Sequence, residues 1–398
     1  MECAYFEAGA CRSCGALGVP LTVQRAAKLD RARAAVGSAG TRWLPAFGGA
    51  AEGYRNKAKM VVGGTAEAPT LGILDQDHRG VDLRHCGILL PGLRAVQPAL
   101  AAFIRLARLE PYDVAARRGE LKHVITTESP DGELMVRFVL RSTEALARIR
   151  KHLPSLVASA PRIRVVTANI QPAHAAVLEG EEELVLTEEA ALPIRLAGMT
   201  LRLPPRSFFQ TNTEVAAALY AQAAEWAGRC LSEERRDATK GAPAEPVDRF
   251  VSPRSLGERR RIVDLYCGVG GFALALAGPG REVVGIETSA DAAAAAQASA
   301  DAAGLDARFQ AGDARAWADA ADLVVVNPPR RGLGPELTAA LEASGAPTVV
   351  YSSCNPSTLE RDLIAMPSYR AVEARCFDMF PQTEHLEVMV LLERRGRA

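Results

Sequence analysis

From residue 262 to the C-terminus, short apolar runs alternate with helical patterns, and few folds accommodate that alternation. The runs at 262–266, 282–286, 322–326, 347–351 and 386–392 read as buried strands, and the segments 271–277, 290–303, 335–343 and 356–365 between them read as helices. Strands separated by helices pair in parallel with helices on both faces, so a doubly wound α/β sheet is expected. Upstream the pattern changes. Between about 47 and 200, stretches rich in β-branched residues (57–62, 70–74, 124–127, 134–140, 165–170 and 182–186) are broken by turn signals at Asp131-Gly132 and Glu179-Gly180 and by helical patterns at 91–108 and 143–152. An antiparallel sheet with helices on one face, an α+β unit, is the economical reading.

Pro204-Pro205-Arg206 separates the two regimes. An Ala-rich helix at 213–228, with Val215, Leu219, Ala223 and Trp226 on one stripe, precedes a polar insertion at 231–258. The 398 residues suffice for two or three domains. No run of about 18 uncharged apolar residues occurs, so no membrane partner is expected. The start, Met1-Glu2-Cys3-Ala4-Tyr5, has neither a basic nor an apolar leader segment, and a cytoplasmic location follows as the expectation. With 47 basic and 47 acidic side chains, no global field announces a polyanion. Basic residues cluster locally instead, at Arg55, Lys57 and Lys59; at Arg117, Arg118 and Lys122; at Arg259 to Arg261; and at Arg330 and Arg331. Such clusters are solvated faces unless they flank a cleft.

Eight cysteines in a reducing compartment are not expected to form disulfides. Cys3, Cys11 and Cys14 crowd the first residues, and Cys86 follows a glycine-rich, hairpin-like region. A Cys-x-x-Cys pair with further thiols is a soft-metal signature, for zinc or an iron-sulfur cluster, and His85 is an alternative zinc ligand. Spacing alone leaves the metal open.

The glycine loop in Asp264-Leu265-Tyr266-Cys267-Gly268-Val269-Gly270 joins a strand to a helix and lets a ligand approach the backbone closely. The next strand ends in Glu287, placed to grip ribose hydroxyls. That pairing suits a nucleoside ligand without a pyrophosphate, such as S-adenosylmethionine. Asp313 is a candidate for the adenine or a simple turn former. The strand 322–326 stops at Asn327-Pro328-Pro329, where an amide at a sheet edge can read a base, or where the prolines merely terminate the strand. Ser352-Ser353-Cys354-Asn355-Pro356 then puts a cysteine at a strand-to-helix turn. With Asn355 as N-cap and Pro356 at the first helical position, the helix N-terminus is expected to lower the Cys354 pKa and favour its thiolate.

Ser207-Phe208-Phe209-Gln210-Thr211-Asn212, the glycine loop, Asn327-Pro328-Pro329-Arg330-Arg331-Gly332, the Cys354 stretch and His385-Leu386-Glu387 occur in this order. Together they make the chain resemble the RNA uracil-C5 methyltransferases over nearly its whole length. The resemblance implies an S-adenosylmethionine-dependent, Rossmann-like methyltransferase domain at 204–398, a central RNA-contacting domain at 47–203 and an N-terminal iron-sulfur segment at 1–46. It implies Cys354 as nucleophile and Glu387 as base, with Gln210, Tyr266, Glu287 and Asn327 at methyl-donor-contacting positions. Cys3, Cys11, Cys14 and Cys86 match the ligands of a [4Fe-4S] cluster, which decides against zinc. With Cys3 so near the start, the OB-like RNA-binding domain of many members is expected to be lacking. That feature, the cysteine spacing and Gly53-Tyr54-Arg55-Asn56-Lys57-Ala58-Lys59-Met60 point to the branch acting on 23S ribosomal RNA, free or in an early ribosomal intermediate, as a monomer. Uracil in transfer RNA is the alternative substrate.

Chemistry reads the same way. Uracil C5 is too weak a nucleophile to take a methyl group directly, so a thiolate must first add at C6 and a base must later remove the C5 proton. Two rivals differ in testable ways. An amino-methyltransferase would use Asn-Pro-Pro without a cysteine, and an iron-sulfur RNA-binding module would bind no methyl donor.

Overall fold

The structure is a computed structural model and describes residues 1–37, 39–174, 177–232 and 259–396. Its larger sheet is built on four adjacent parallel strands, in the order Leu323–Val326, Arg260–Leu265, Arg281–Glu287 and Ala307–Ala311. Thr348–Ser353 pairs in parallel beside Leu323–Val326, and Glu387–Arg394 then runs antiparallel between Thr348–Ser353 and Tyr369–Asp378. Neighbouring residues of the central strands enter different cores: Ile262, Val325 and Val350 pack on one face, and Val263, Val324 and Val349 on the other. Burial on both faces is why these strands read as unbroken apolar runs. The expected doubly wound sheet is therefore present. From residue 233 on, the polar insertion lies outside the described residues.

One of its strands carries no plain apolar run. Tyr369–Asp378 buries two carboxylates, Glu373 and Asp378. Glu373 accepts hydrogen bonds from Trp226 Nε1 at 2.5 Å and Arg229 Nη2 at 2.8 Å, while Asp378 accepts from Lys28 Nζ at 2.6 Å and Arg25 Nε at 3.1 Å. Interior charge of this kind persists only when paired. It also breaks the apolar pattern that would mark a strand.

The central sheet has seven strands and is antiparallel apart from one pair, Leu134–Leu140 with Ile163–Ile170, which the helix Leu146–Ser159 connects in parallel. One face, carrying Ala58, Met60, Val62, Val124 and Phe138, packs against Leu93, Leu100 and Ile104 of the helix Pro91–Leu106 and Ile149 of the second helix. Helices on one face are as expected.

Packing crosses the expected boundaries in two places. The helix Leu21–Val36 and the strands Arg42–Trp43 and Phe47–Gly48 lie on the larger sheet, the strands pairing with Tyr369–Asp378. The hairpin Leu192–Leu196/Met199–Leu203 places Leu192, Ile194, Leu201 and Leu203 in the core that holds Trp226 and Ile262.

Candidate active site

The candidate residues come together because the strands that carry them end at one edge of the larger sheet. Leu265 registers with Val326 and Ile286, and Val326 with Tyr351. One step further on, Glu287, Tyr266, Asn327 and Ser352 follow one another along the carboxyl ends, where open α/β sheets bind ligands. The antiparallel strand completes the row. Its register pairs Ser353 with Val388, so the next step sets Cys354 beside Glu387 although 33 positions separate them. Cross-strand neighbours at such a step have Cα atoms about 4.5–5.5 Å apart.

Glu387 is buried, and Ser352 Oγ donates to its Oε1 at 2.5 Å while Asn327 Nδ2 donates to the same oxygen at 3.1 Å. Burial pushes this carboxyl up to about 7, against the pull of those two donors. A carboxylate with that pKa is suited to proton abstraction near neutrality. Asn327 also donates to Ser352 O at 3.1 Å, so its amide donors tie the ends of two strands to Glu387. Gln210 approaches from the opposite side, its Nε2 donating to Asn327 Oδ1 at 3.5 Å.

Cys354 corrects another expectation. Asn355 caps the helix Pro356–Ile364 as anticipated, accepting from Ser357 N at 3.2 Å. Yet the Cys354 thiol is pushed up, first by burial and then by the Glu387 charge, and the Arg330 guanidinium pulls only partly the other way. Desolvation and a negative neighbour both disfavour the thiolate, which is why the expected lowering is not found. Arg330 and Arg331 are held over this helix, Asn355 Nδ2 donating to Arg330 O at 2.9 Å and Arg361 Nη2 to Arg331 O at 2.7 Å.

At the glycine loop, Tyr266 sits at φ 64°, a sparsely populated conformation for a residue with a side chain. Gly271 has no room for one, because an added Cβ would lie 2.3 Å from the Tyr220 hydroxyl. Glu287 is fixed by three donors, Gly268 N at 3.0 Å, Ser289 N at 2.9 Å and Thr288 Oγ1 at 3.0 Å. Asp313 spends its charge locally, accepting from Arg315, which holds its carboxyl down at about 2. Glu287→Ala should weaken binding of the methyl donor or its demethylated product by about 1–3 kcal/mol, because hydroxyls desolvated by binding lose their acceptor. Calorimetric titration measures this; unchanged affinity would move the donor site elsewhere.

Cys3, Cys11, Cys14 and Cys86 line one cavity of about 600 Å³ together with Arg55, Lys57, Lys59, Phe208, Gln210, Arg330 and His385. The cysteine region thus shares a cleft with Gln210, Arg330 and His385 of the candidate stretches, and the basic cluster Arg55, Lys57 and Lys59 lies on its wall. Phe208 is 66 % exposed, an open aromatic face in that cleft. Burial raises the Cys14 thiol to about 11, and the charges of Cys86, Cys11 and Cys3 add to the shift. Among the described residues no three of these groups converge on a single-ion site. His85 is exposed and outside the cavity lining, while His385 precedes the strand and packs edge-on against Phe380.

Sequence reasoning passed over Ser352 and Asn56. Asn56 Nδ2 donates to Gln210 O at 3.0 Å and Thr213 Oγ1 at 2.8 Å, tying the central sheet to the loop that carries Gln210. Both stand inside stretches already singled out, but only the pairing across elements shows what they hold.

This strand order and the row of candidate residues at its carboxyl edge are those of a Rossmann-like, S-adenosylmethionine-dependent methyltransferase. A methyltransferase-domain profile matches residues 262–342, and a tRNA (Uracil-5-)-methyltransferase profile matches residues 313–395. The crystal structure of Pyrococcus abyssi tRNA (uracil-54, C5)-methyltransferase in complex with S-adenosyl-L-homocysteine is similar in fold, with TM-score 0.74 and 24% identity over 95% of this chain and 85% of that one. The chain is 45% identical to 23S rRNA (uracil(747)-C(5))-methyltransferase RlmC of Halothiobacillus neapolitanus, over 99% of this chain and 100% of the relative. It is 44% identical to the protein of the same name from Cronobacter sakazakii, over 99% and 100%. The chain belongs to the RNA uracil-C5 methyltransferase family.

Proposed function

We propose that this protein methylates C5 of a uracil in 23S ribosomal RNA, with S-adenosylmethionine as donor. The observation that carries the reading is the pairing of a cysteine with a buried, burial-raised carboxylate at the carboxyl edge of a methyltransferase sheet. The names of the full-length relatives support the RNA class.

In this reading residues 204–398 transfer the methyl group and residues 47–203 contact the RNA. Gln210, Tyr266, Glu287 and Asn327 hold the donor, Glu287 at its ribose. Bound S-adenosylmethionine supplies an electrophilic methyl group. The Cys354 thiolate adds to C6 of a uracil turned out of its stack, which makes C5 enolate-like and able to take that methyl group. Forming the C–S bond also removes the thiolate charge beside Glu387. Glu387, pinned at Oε1 by Ser352 and Asn327, then removes the C5 proton, and the Cys354 sulfur leaves as C5=C6 reforms.

Residues 1–46 would carry the ligands Cys3, Cys11 and Cys14 of a [4Fe-4S] cluster, with Cys86 as the fourth. The donor set fits: all four are sulfur, they face one cavity, and burial together with mutual repulsion disfavours thiolates that a cationic core would relieve. Such a cluster would supply a covalent tether for the first twenty residues, which place little apolar surface in a core. Incubating the protein with labelled donor and total ribosomal RNA, then mapping the methylated nucleotide, tests the function. A label confined to transfer RNA added in parallel would overturn the ribosomal substrate.

A further inference from the structure

A second cavity, of about 510 Å³, opens on the helix-free face of the central sheet and is lined by Val61, Leu74, Tyr112, His123, His174 and Val177, among others. Its position follows from strand periodicity. Lys57, Lys59 and Val61 share one face of the strand Lys57–Gly64; the two lysines line the cysteine cleft and Val61 lines this cavity. On the neighbouring strand, where Val61 registers with Gly72, Gly72 lines the cleft and Leu74 the cavity. The two linings thus come within about two residues, or 7 Å, of each other on these strands.

The walls are largely aliphatic, with Tyr112 and two imidazoles among them, and Tyr112 is held in place. Tyr112 OH is 2.9 Å from His174 Nδ1, and Lys122 Nζ lies 4.7 Å from the centre of the Tyr112 ring. Lys122 in turn donates to Gln171 O and Ala173 O, each at 2.8 Å, which holds the chain just before His174. His123 turns an imidazole toward the cavity without a side-chain hydrogen bond among the described residues, and burial holds it down at about 4, so it is neutral at pH 7. Arg117 and Arg118 are exposed on the turn beyond Tyr112, unpaired with any carboxylate among the described residues, and Lys59 is exposed on the strand between the two openings.

We propose that this cavity binds an unpaired nucleobase of the RNA substrate, stacked against Tyr112 and His174, while the nearby cations follow the phosphates. Apolar and aromatic walls with a neutral imidazole suit a base rather than a phosphate, and single-stranded RNA is recognised by stacking of splayed bases on Tyr and His. Its place beside the basic cleft makes RNA the occupant. The inference rests on the reading of this protein as an RNA-modifying enzyme.

The test compares wild type, Tyr112→Ala, Tyr112→Phe and His174→Ala on a 23S ribosomal RNA transcript, with Kd, KM and kcat for RNA and Kd for S-adenosylhomocysteine measured on each. Tyr112→Ala should raise the RNA Kd and KM by about 5- to 150-fold, the span that base-aromatic stacking gives on alanine substitution. His174→Ala should weaken binding in the same direction, and Tyr112→Phe, which keeps the ring, should stay within about threefold of wild type. S-adenosylhomocysteine affinity and kcat at saturating RNA should not change, which separates a lost base contact from a misfolded protein. RNA affinity unchanged in both alanine variants would overturn the proposal, as would equal losses in Tyr112→Phe and Tyr112→Ala, which would leave only the hydroxyl contact. A wild-type protein that methylates no RNA in the same assay would overturn the functional reading and this inference together.

Discussion

A Glu387→Gln protein mixed with methyl donor and RNA is expected to stop after methyl transfer and to remain covalently joined to the RNA through Cys354. Glutamine keeps the size of the side chain and can still meet Ser352, but it has no useful basicity, so the C5 proton stays and the sulfur cannot be eliminated. A species that survives denaturing electrophoresis should accumulate. Cys354→Ala should form no adduct and lose activity by on the order of 10⁴-fold or more, and the double variant should behave like Cys354→Ala. The pH dependence adds a second signature. Because burial raises Glu387 to about 7, the base is protonated and idle below that pH, and turnover should rise as pH increases through neutrality. His385 is the competing base. Should Glu387→Gln turn over normally while His385→Ala traps the adduct, the assignment of the base is wrong.

The second large effect concerns the cysteines. Of residues 1–20 only Met1 has a buried side chain, and the helix Ala4–Glu7 contributes nothing to a core. What ties this segment down is a few hydrogen bonds, such as His85 N to Tyr5 OH at 3.1 Å and Ala16 N to Gln382 O at 2.9 Å. Ordering so much chain costs about 1–2 kcal/mol per residue, which these contacts cannot offset. A metal tether can. The wild-type protein should therefore be brown and hold about four irons per chain, and Cys11→Ser or Cys86→Ser should drop iron below about one and much of the solubility with it. A colourless wild type with tightly held zinc and full activity would refute the cluster.

Much of the fold was legible because its strands obey simple rules. Uninterrupted apolar runs such as Leu323–Val326 mark strands buried on both faces, and the helices between them enforce parallel pairing. Tyr369–Asp378 stayed hidden because Glu373 and Asp378 are neutralised by partners elsewhere in the chain, Lys28 lying 350 positions away. The crossover from Leu134–Leu140 to Ile163–Ile170 was invisible for a related reason: short β-branched runs announce strands but not their direction.

At the site, the residue types were readable and their energetics were not. The turn carrying Cys354 has the expected N-cap, yet its pKa is set by burial and by Glu387, which an antiparallel strand brings alongside. For Asn327 sequence shows only the strand end it occupies; that its donors turn to Glu387 and Ser352 O is visible only in the fold. Local patterns fix which groups are present. Charges and donors arriving from distant strands decide what each does.

The central claim is methyl transfer to uracil C5, and RNA bearing tritium at C5 of its uracils tests it most directly. Supplied with such a 23S ribosomal RNA transcript and a separately labelled donor, the protein should release one tritium to water for each methyl group transferred, and Cys354→Ala should do neither. Methyl incorporation without tritium release would place the methyl group on nitrogen or oxygen and contradict the account.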